Sequence, residues 1–327
     1  MDYRKFSLAE KSVVEIAARV LELRYEADSV VSVRLGALDG SPLPDWSPGA
    51  HLDLVLPIGL VRQYSIVESD PFQRWYRIAV LRDPASRGGS EYVHLFLRPG
   101  QQVAIRPPLN HFQLATAQEY LLIAGGIGIT PLIPMIDALD ADGATWHLHY
   151  AGRSRAAMAF VDRLALYEDR VTCWDSTAGR RLDLERVIPQ ARTGLVLYSC
   201  GPSRLIEAIQ ASARKAQWHD RDIHFERFKA SPRPRASADR PLVVRATRSG
   251  KSVEIASDET ILNGLTRAGI KVPSSCMSGL CGTCEVRVLA GQPDHRDDVL
   301  TPVQREAGDR MLVCVSRGLS DQLDLEV

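Results

Sequence analysis

Apolar and polar positions alternate through Ala17–Glu26 and again through Ser29–Leu38, which predicts a β-hairpin turning at Ala27-Asp28. Four more short runs, His51–Leu56, Arg62–Val67, Trp75–Leu81 and Gln102–Arg106, are separated by turns bearing Pro and Gly. Six short strands with no long helix between them predict a closed antiparallel barrel over residues 1–117. The period changes near Glu119. Tyr120–Ala124 is a short apolar run followed by glycines and a helical stretch, Pro131–Leu139, and further apolar runs follow at His147–Ala151, Val171–Trp174 and Val196–Ser199. With the helical pattern of Ser203–Ala216, this alternation predicts a doubly wound, mostly parallel α/β domain over 118–229. Residues 230–241 (Ala-Ser-Pro-Arg-Pro-Arg-Ala-Ser-Ala-Asp-Arg-Pro) lack apolar periodicity and contain three prolines, as expected of a linker, and a small third domain is left at 242–327.

Composition agrees with several cores: 327 residues, 45% hydrophobic and 24% charged. Forty basic residues balance forty acidic ones, so nothing in the charge calls for a nucleic-acid or anionic-membrane partner. From Asp239 onward there are 11 basic against 13 acidic residues, a net −2 set against +2 for the rest, which permits weak complementary docking between the two parts. The start of the chain carries Asp2, Arg4 and Lys5 with no apolar core of a secretory signal, so the cytoplasm is the expected compartment. The longest apolar stretch, Tyr120–Ile136, is short for a membrane span and is broken by glycines and by Pro131 and Pro134.

The cysteines change the picture most. Cys276-x4-Cys281-x2-Cys284, with Cys314 far behind, is the spacing of a plant-type 2Fe-2S cluster, in which a tight loop supplies three thiolates and a distant segment the fourth. The loop's Ser275, Ser278, Gly279, Gly282 and Thr283 are small enough for backbone N–H groups to approach the sulfurs. A structural zinc site is the competing reading, but zinc frameworks usually pair two short Cys knuckles, and Cys314 has no near partner in sequence. Cys200 read alone is a small buried apolar residue.

Gly125-Gly126-Ile127-Gly128-Ile129-Thr130-Pro131 lies between a predicted strand and a helix, where glycines let backbone N–H groups approach a pyrophosphate; Pro131 suits the first helical position. Such a turn alone can equally be a plain strand–helix connection. A second strand end, Cys200-Gly201-Pro202, would lie on the same edge of the sheet. Arg62-Gln63-Tyr64-Ser65, in a barrel strand, offers a charge, an aromatic face and a hydroxyl, and Arg87-Gly88-Gly89-Ser90 offers an anion nest; each read alone is an ordinary surface segment.

In this order the motifs resemble the phthalate dioxygenase reductase family, and the reductase module of self-sufficient cytochromes P450 is similar. The landmarks Asn110-His111-Phe112, His224-Phe225-Glu226-Arg227-Phe228, Val272-Pro273-Ser274-Ser275 and Asp294-His295-Arg296-Asp297 extend the likeness over nearly the whole chain from about Val13. The resemblance implies a six-stranded flavin barrel, a doubly wound nucleotide-binding domain and an α+β, β-grasp-like ferredoxin. It places FMN against Arg62, Gln63, Tyr64 and Ser65, against the backbone of Ala79, Val80 and Leu81, and against Arg87, Gly88, Gly89 and Ser90. FAD is not distinguished by these residues. Ser65 would face flavin N5, Cys200 would flank the nicotinamide, and Phe228 would lie on the other flavin face or at its entrance.

The implied activity carries electrons from NADH or NADPH through FMN and the 2Fe-2S cluster to a terminal oxygenase, of Rieske type in the first reading and a cytochrome P450 in the second. The chain is expected to act as a monomer. A flavin and iron–sulfur sensor without turnover is a third reading. NADH-specific relatives tend to have an acidic residue after the Arg that follows the second α/β strand. Here the segment reads Arg153-Ser154-Arg155, so a 2′-phosphate should be tolerated.

Overall fold

A computed structural model of the chain describes residues 14–230 and 239–327, so most of the expected linker lies outside the described residues. Strands β1 (Ile16–Ala27), β2 (Val30–Ala37), β3 (His51–Val55), β4 (Val61–Ser69), β5 (Tyr76–Leu81) and β6 (Gln102–Ile105) close into a barrel in the order β1-β2-β5-β4-β3-β6. Each predicted strand lies within two residues of an observed one. The hairpin turns at Asp28-Ser29, one residue later than expected, with Ser29 in the left-handed region (φ 62). The pattern did not predict helix α1 (Gly89–Leu95) between β5 and β6. The Gly-Gly-Ser segment forms its first turn, and the helix buries Val93.

Five parallel strands follow, β7 (Glu119–Gly125), β8 (Thr145–Gly152), β9 (Val171–Asp175), β10 (Leu195–Cys200) and β11 (Ile223–Glu226), ordered β11-β10-β7-β8-β9. The helices are α2 (Leu132–Ala141), α3 (Val161–Leu164), α4 (Leu184–Val187) and α5 (Ser203–Lys215). Alternation along β7 separates two layers. Leu122 and Ala124 pack with Leu132, Met135 and Ile136 of α2, whereas Leu121 and Ile123 pack with Ile209 and Ala213 of α5. Barrel residues Val67 and Ala79 join the α2 layer, so barrel and sheet form one compact unit. Arg163 crosses between them, meeting Glu68 of β4 at 2.7 Å and Asp137 of α2 at 2.5 Å.

The C-terminal residues form a second compact unit. Its sheet of β12 (Leu242–Ala246), β13 (Lys251–Ile255), β14 (Glu285–Ala290), β16 (Arg310–Leu312) and β18 (Gln322–Leu325) runs β13-β12-β18-β14-β16, with β15 (Pro293–Asp294) and β17 (Arg317–Gly318) paired separately. One parallel contact, β12 with β18, in an otherwise antiparallel sheet gives the β-grasp arrangement expected. Helix α6 (Ile261–Arg267) is capped by Thr260 and buries Ile261, Leu262 and Leu265 against Val253 and Ile255; α7 (Pro302–Ala307) carries a Thr301/Gln304 capping box. Arg296 grips Asp239 through two bonds of 2.8 and 2.5 Å, and Arg317 donates to the Arg240 carbonyl at 2.7 Å. These bonds attach Asp239 and Arg240 to the C-terminal unit.

Candidate functional site

Strand β4 pairs with β5 only from Ile66 onward, while Arg62–Ser65 pair with β3 alone. The strands therefore part at Ile66/Ile78, and the backbone of Ala79, Val80 and Leu81 borders the opening instead of a β4 ladder. The Val80 carbonyl is also in contact with the His94 ring of α1 at 2.9 Å. Ser65 stands at its foot, and its Oγ is buried with no hydrogen-bond partner. A buried hydroxyl without a partner is costly, and a bound polar group opposite it would remove that cost. Burial pushes the Tyr64 phenol up to about 12, so it stays neutral. Gln63 Nε2 donates to Asp53 at 3.0 Å, which helps to hold β3 to β4.

At the other end Arg62 lies over Gly89, where an added Cβ would come within 2.5 Å of Arg62 Nε, and its Nη2 donates to the Arg87 carbonyl at 2.8 Å. Gly88 takes φ +88, which side chains other than glycine rarely adopt. Ser90 Oγ accepts from the Asp83 backbone N–H (3.2 Å) and contacts Ser86 Oγ (3.1 Å). Arg62 and the 87–90 segment, 25 residues apart in sequence, are thus one cationic, hydroxyl-lined corner. Phe228 is exposed just after β11, and its neighbour Lys229 pairs with Asp83 at 2.8 Å, tying this end of the sheet to the same corner.

The two glycine motifs meet at the carboxyl ends of β7 and β10. A Cβ on Gly128 would overlap the Cys200 carbonyl, and one on Gly201 would come within 3.1 Å of the Gly125 backbone, so these glycines exist for contact between strand ends. Gly126 (φ +55) is different: an added Cβ there meets nothing within 4 Å, and it faces open space. Gly126–Ile129 form a 3-10 turn, and α2 begins at Leu132, so Pro131 occupies the cap and not the first helical position. Thr130 is buried, its hydroxyl donating to the Ile127 carbonyl at 3.0 Å, which makes it a brace for this turn. After β8, Arg153 and Arg155 are exposed, and the loop is held by Asp175 at the end of β9, which accepts from the Arg155 N–H at 3.1 Å and from Thr177.

In the C-terminal unit, the 276–284 loop has Met277, Gly279 and Gly282 in the left-handed region, which coils it tightly. The N–H groups of Ser278 and Leu280 both donate to Cys276 Sγ at 3.4 Å. The four thiols lie in two contacting pairs, Cys276 with Cys281 and Cys284 with Cys314. The Cys281 thiol and these N–H groups pull Cys276 down to about 5. Two pairs of thiols match a cluster of two irons, each held by two thiolates. Among the described residues no three Cys, His, Asp or Glu groups converge as ligands of a single ion.

Residues 244–317 match the 2Fe-2S iron-sulfur cluster binding domain family. The chain is 40% identical over 322 residues to the phenoxybenzoate dioxygenase subunit beta of Ectopseudomonas oleovorans, covering 98% of this chain and 99% of that one. It superposes on the solved phthalate dioxygenase reductase, described as a modular structure for electron transfer from pyridine nucleotides to 2Fe-2S, with a TM-score of 0.69, 33% identity, and 96% and 98% of the two chains covered. The chain belongs to the phthalate dioxygenase reductase family of oxidoreductases. An intact type IV self-sufficient cytochrome P450 monooxygenase is similar with a TM-score of 0.90 and 39% identity, this reductase covering 96% of its own length and 41% of that chain.

Two residues of the reductase site escaped the pattern reading of roles. Glu226 on β11 pairs with Cys200 in the parallel ladder, and its Oε2 is buried without a partner. The strand itself was not predicted, because Ile-His-Phe-Glu is short and half polar; the landmark His224–Phe228 was the available signal. His51 on β3 is buried and pairs with Ser65. A lone histidine in an apolar strand carries no signal of its own. No helix among the described residues is long and apolar enough to cross a membrane.

Proposed function

We propose that this reductase takes electrons from NADH or NADPH on FMN held at the β4–β5 opening and passes them, through a 2Fe-2S cluster on Cys276, Cys281, Cys284 and Cys314, to a terminal Rieske-type oxygenase. When bound, the flavin supplies the conversion of a two-electron hydride donor into one-electron steps. The observation that carries the reading is Ser65, a buried hydroxyl without a partner at the foot of an opening whose far end holds Arg62, Arg87 and Ser90. Arg62 and Ser90 would hold the phosphate, Gly88 and Gly89 let the backbone approach it, and Tyr64 with the Ala79, Val80 and Leu81 backbone would flank the ring. Gly126 and Ile127 would face the pyrophosphate, with Gly125, Gly128, Thr130, Pro131, Gly201 and Pro202 shaping the strand ends around it. Cys200 would border the nicotinamide, and Phe228 would close the entrance. Arg153, Ser154 and Arg155 would meet the adenosine ribose and accept a 2′-phosphate.

The domain bounds proposed are 1–117, 118–229 and 242–327 with the linker at 230–241, and the protein is proposed to act as a cytoplasmic monomer. A cytochrome P450 partner is the second reading, favoured by likeness to a chain in which a similar module belongs to a P450 monooxygenase. The test is reconstitution with FMN and iron, followed by NADH-driven reduction of ferricyanide and of cytochrome c. Turnover of both supports the reading. A preparation that binds flavin but is not reduced by either nucleotide would instead favour the sensor.

A further inference from the structure

Arg163 of α3 divides its guanidinium between two carboxylates that belong to different elements of the first compact unit. Nη1 donates to Glu68 Oε2 of β4 at 2.7 Å, and Nη2 donates to Asp137 Oδ2 of α2 at 2.5 Å. Each carboxylate also has a second, local partner. Glu68 Oε1 accepts from Arg77 Nε of β5 at 2.6 Å, and Asp137 Oδ1 accepts from the Tyr167 hydroxyl at 3.0 Å. Arg77 is itself buried and donates to Ser32 Oγ of β2 at 2.9 Å, which gives Glu68 a fixed footing in the barrel. The two anchors of Arg163 stand near the two halves of the reaction site. Glu68 is three residues beyond Ser65, across the irregular step where β4 resumes its pairing with β5. Asp137 lies on the helix that follows the Gly126–Ile129 turn.

We propose that Arg163 is a positioning residue for hydride transfer: by joining β4 to α2 it sets how the flavin strand stands against the helix that carries the nucleotide turn. The inference rests on the function proposed above. Hydride transfer needs its two reacting atoms in near contact, so a displacement of about 1 Å between these elements is enough to slow it strongly. The other links across the same boundary are of a different kind. Val67 and Ala79 of the barrel pack in the α2 layer, and the Asp28 N–H donates to the Ala156 carbonyl at 2.8 Å. Apolar packing is non-directional and resists separation more than sliding. The planar arginine fork, with two charge-assisted bonds, fixes direction as well as distance. Without Arg163, Glu68 keeps Arg77 and Asp137 keeps Tyr167, so each element retains its own contacts and only the link between them is lost.

The test uses the full chain loaded with FMN and cluster. Arg163→Ala is expected to slow flavin reduction at saturating NADH about tenfold, while KM for NADH and retention of FMN change less than twofold. The primary isotope effect with NADH deuterated at the transferred position should rise. Arg163→Lys, which offers one point charge in place of the fork, should recover part of the rate. Asp137→Asn should slow the same step and add little to Arg163→Ala, because both cut one link. Independently of turnover, the Asp28 amide, which bonds across the same boundary, should exchange with solvent faster in Arg163→Ala while the amides within β7 do not. Asp28 exchange at the wild-type rate would overturn the proposal, as would unchanged flavin reduction in Arg163→Ala, or slowing that only follows a loss of FMN. Should Arg163→Ala not fold, Asp137→Asn decides: wild-type flavin reduction in that variant would also overturn the proposal. Wild-type protein that binds FMN and is reduced by neither nucleotide would overturn the function itself, and the positioning role with it.

Discussion

Cys200 and Glu226 sit side by side at the carboxyl ends of β10 and β11, and both are held in their neutral forms. Burial, with Glu226 adding to it, drives the Cys200 thiol well above its ordinary range, and burial alone pushes the Glu226 carboxyl up to about 8. A neutral acid beside the strand end gives the site a hydrogen-bond donor at pH 7 without adding charge where a nicotinamide would lie.

Glu226→Gln should make stability less dependent on pH. The folded pKa of about 8 exceeds the unfolded 4.5, so between those values the native state holds a proton that the unfolded chain has lost, and stability falls as pH rises. The melting temperature of the variant relative to wild type should therefore climb from pH 5 to pH 8 and level off above it. A constant difference across that window would show that Glu226 is ionised in the fold.

Ser65→Ala should leave FMN bound but slow its reduction by NADH, because a hydrogen bond at the reacting nitrogen matters most as hydride arrives. Arg62→Ala should weaken FMN retention about 10- to 100-fold, the worth of one charge-assisted contact. Stopped-flow reduction and equilibrium dialysis of FMN separate the two effects.

Cys281→Ser should remove most of the iron and visible cluster absorbance while flavin stays bound, since the thiols and the barrel belong to different compact units. Retention of two irons per chain with an unchanged spectrum would exclude Cys281 as a ligand.

Gly128→Ala should be costlier than Gly126→Ala. The first drives a methyl into the Cys200 carbonyl and must spread β7 from β10, whereas the second meets open space and strains only its positive φ. Gly128→Ala is expected to lower stability by about 1–3 kcal/mol, the usual range of overpacking, and to weaken nucleotide binding. Urea melts and NADH titrations of both variants decide it.

Both NADH and NADPH should support ferricyanide reduction, and Arg155→Ala should raise KM for NADPH more than for NADH, since only the former offers a 2′-phosphate to lose. Inactivity with millimolar NADPH would mean that the loop after β8 serves only as a solvated connection.

Much of this protein was legible in its sequence because the signals are local. Strand alternation located the barrel, glycine runs marked the strand ends at Gly125 and Gly201, and the spacing of Cys276, Cys281 and Cys284 defined a loop that a few left-handed residues wind tightly. Such features depend on residues within a few positions of one another. What tertiary structure decided depends on which distant segments meet. The parting of β4 from β5 opens the gap, and α1 arises where turn residues and a buried Val93 find the barrel to pack on. Gln63 donates to Asp53 and Thr130 to the Ile127 carbonyl, contacts that only the folded chain brings about. Glu226 and His51 gain their meaning only from neighbours, Cys200 and Ser65, supplied by other strands, because burial and cross-strand pairing set the state of a titratable group and neither is written in the residue itself.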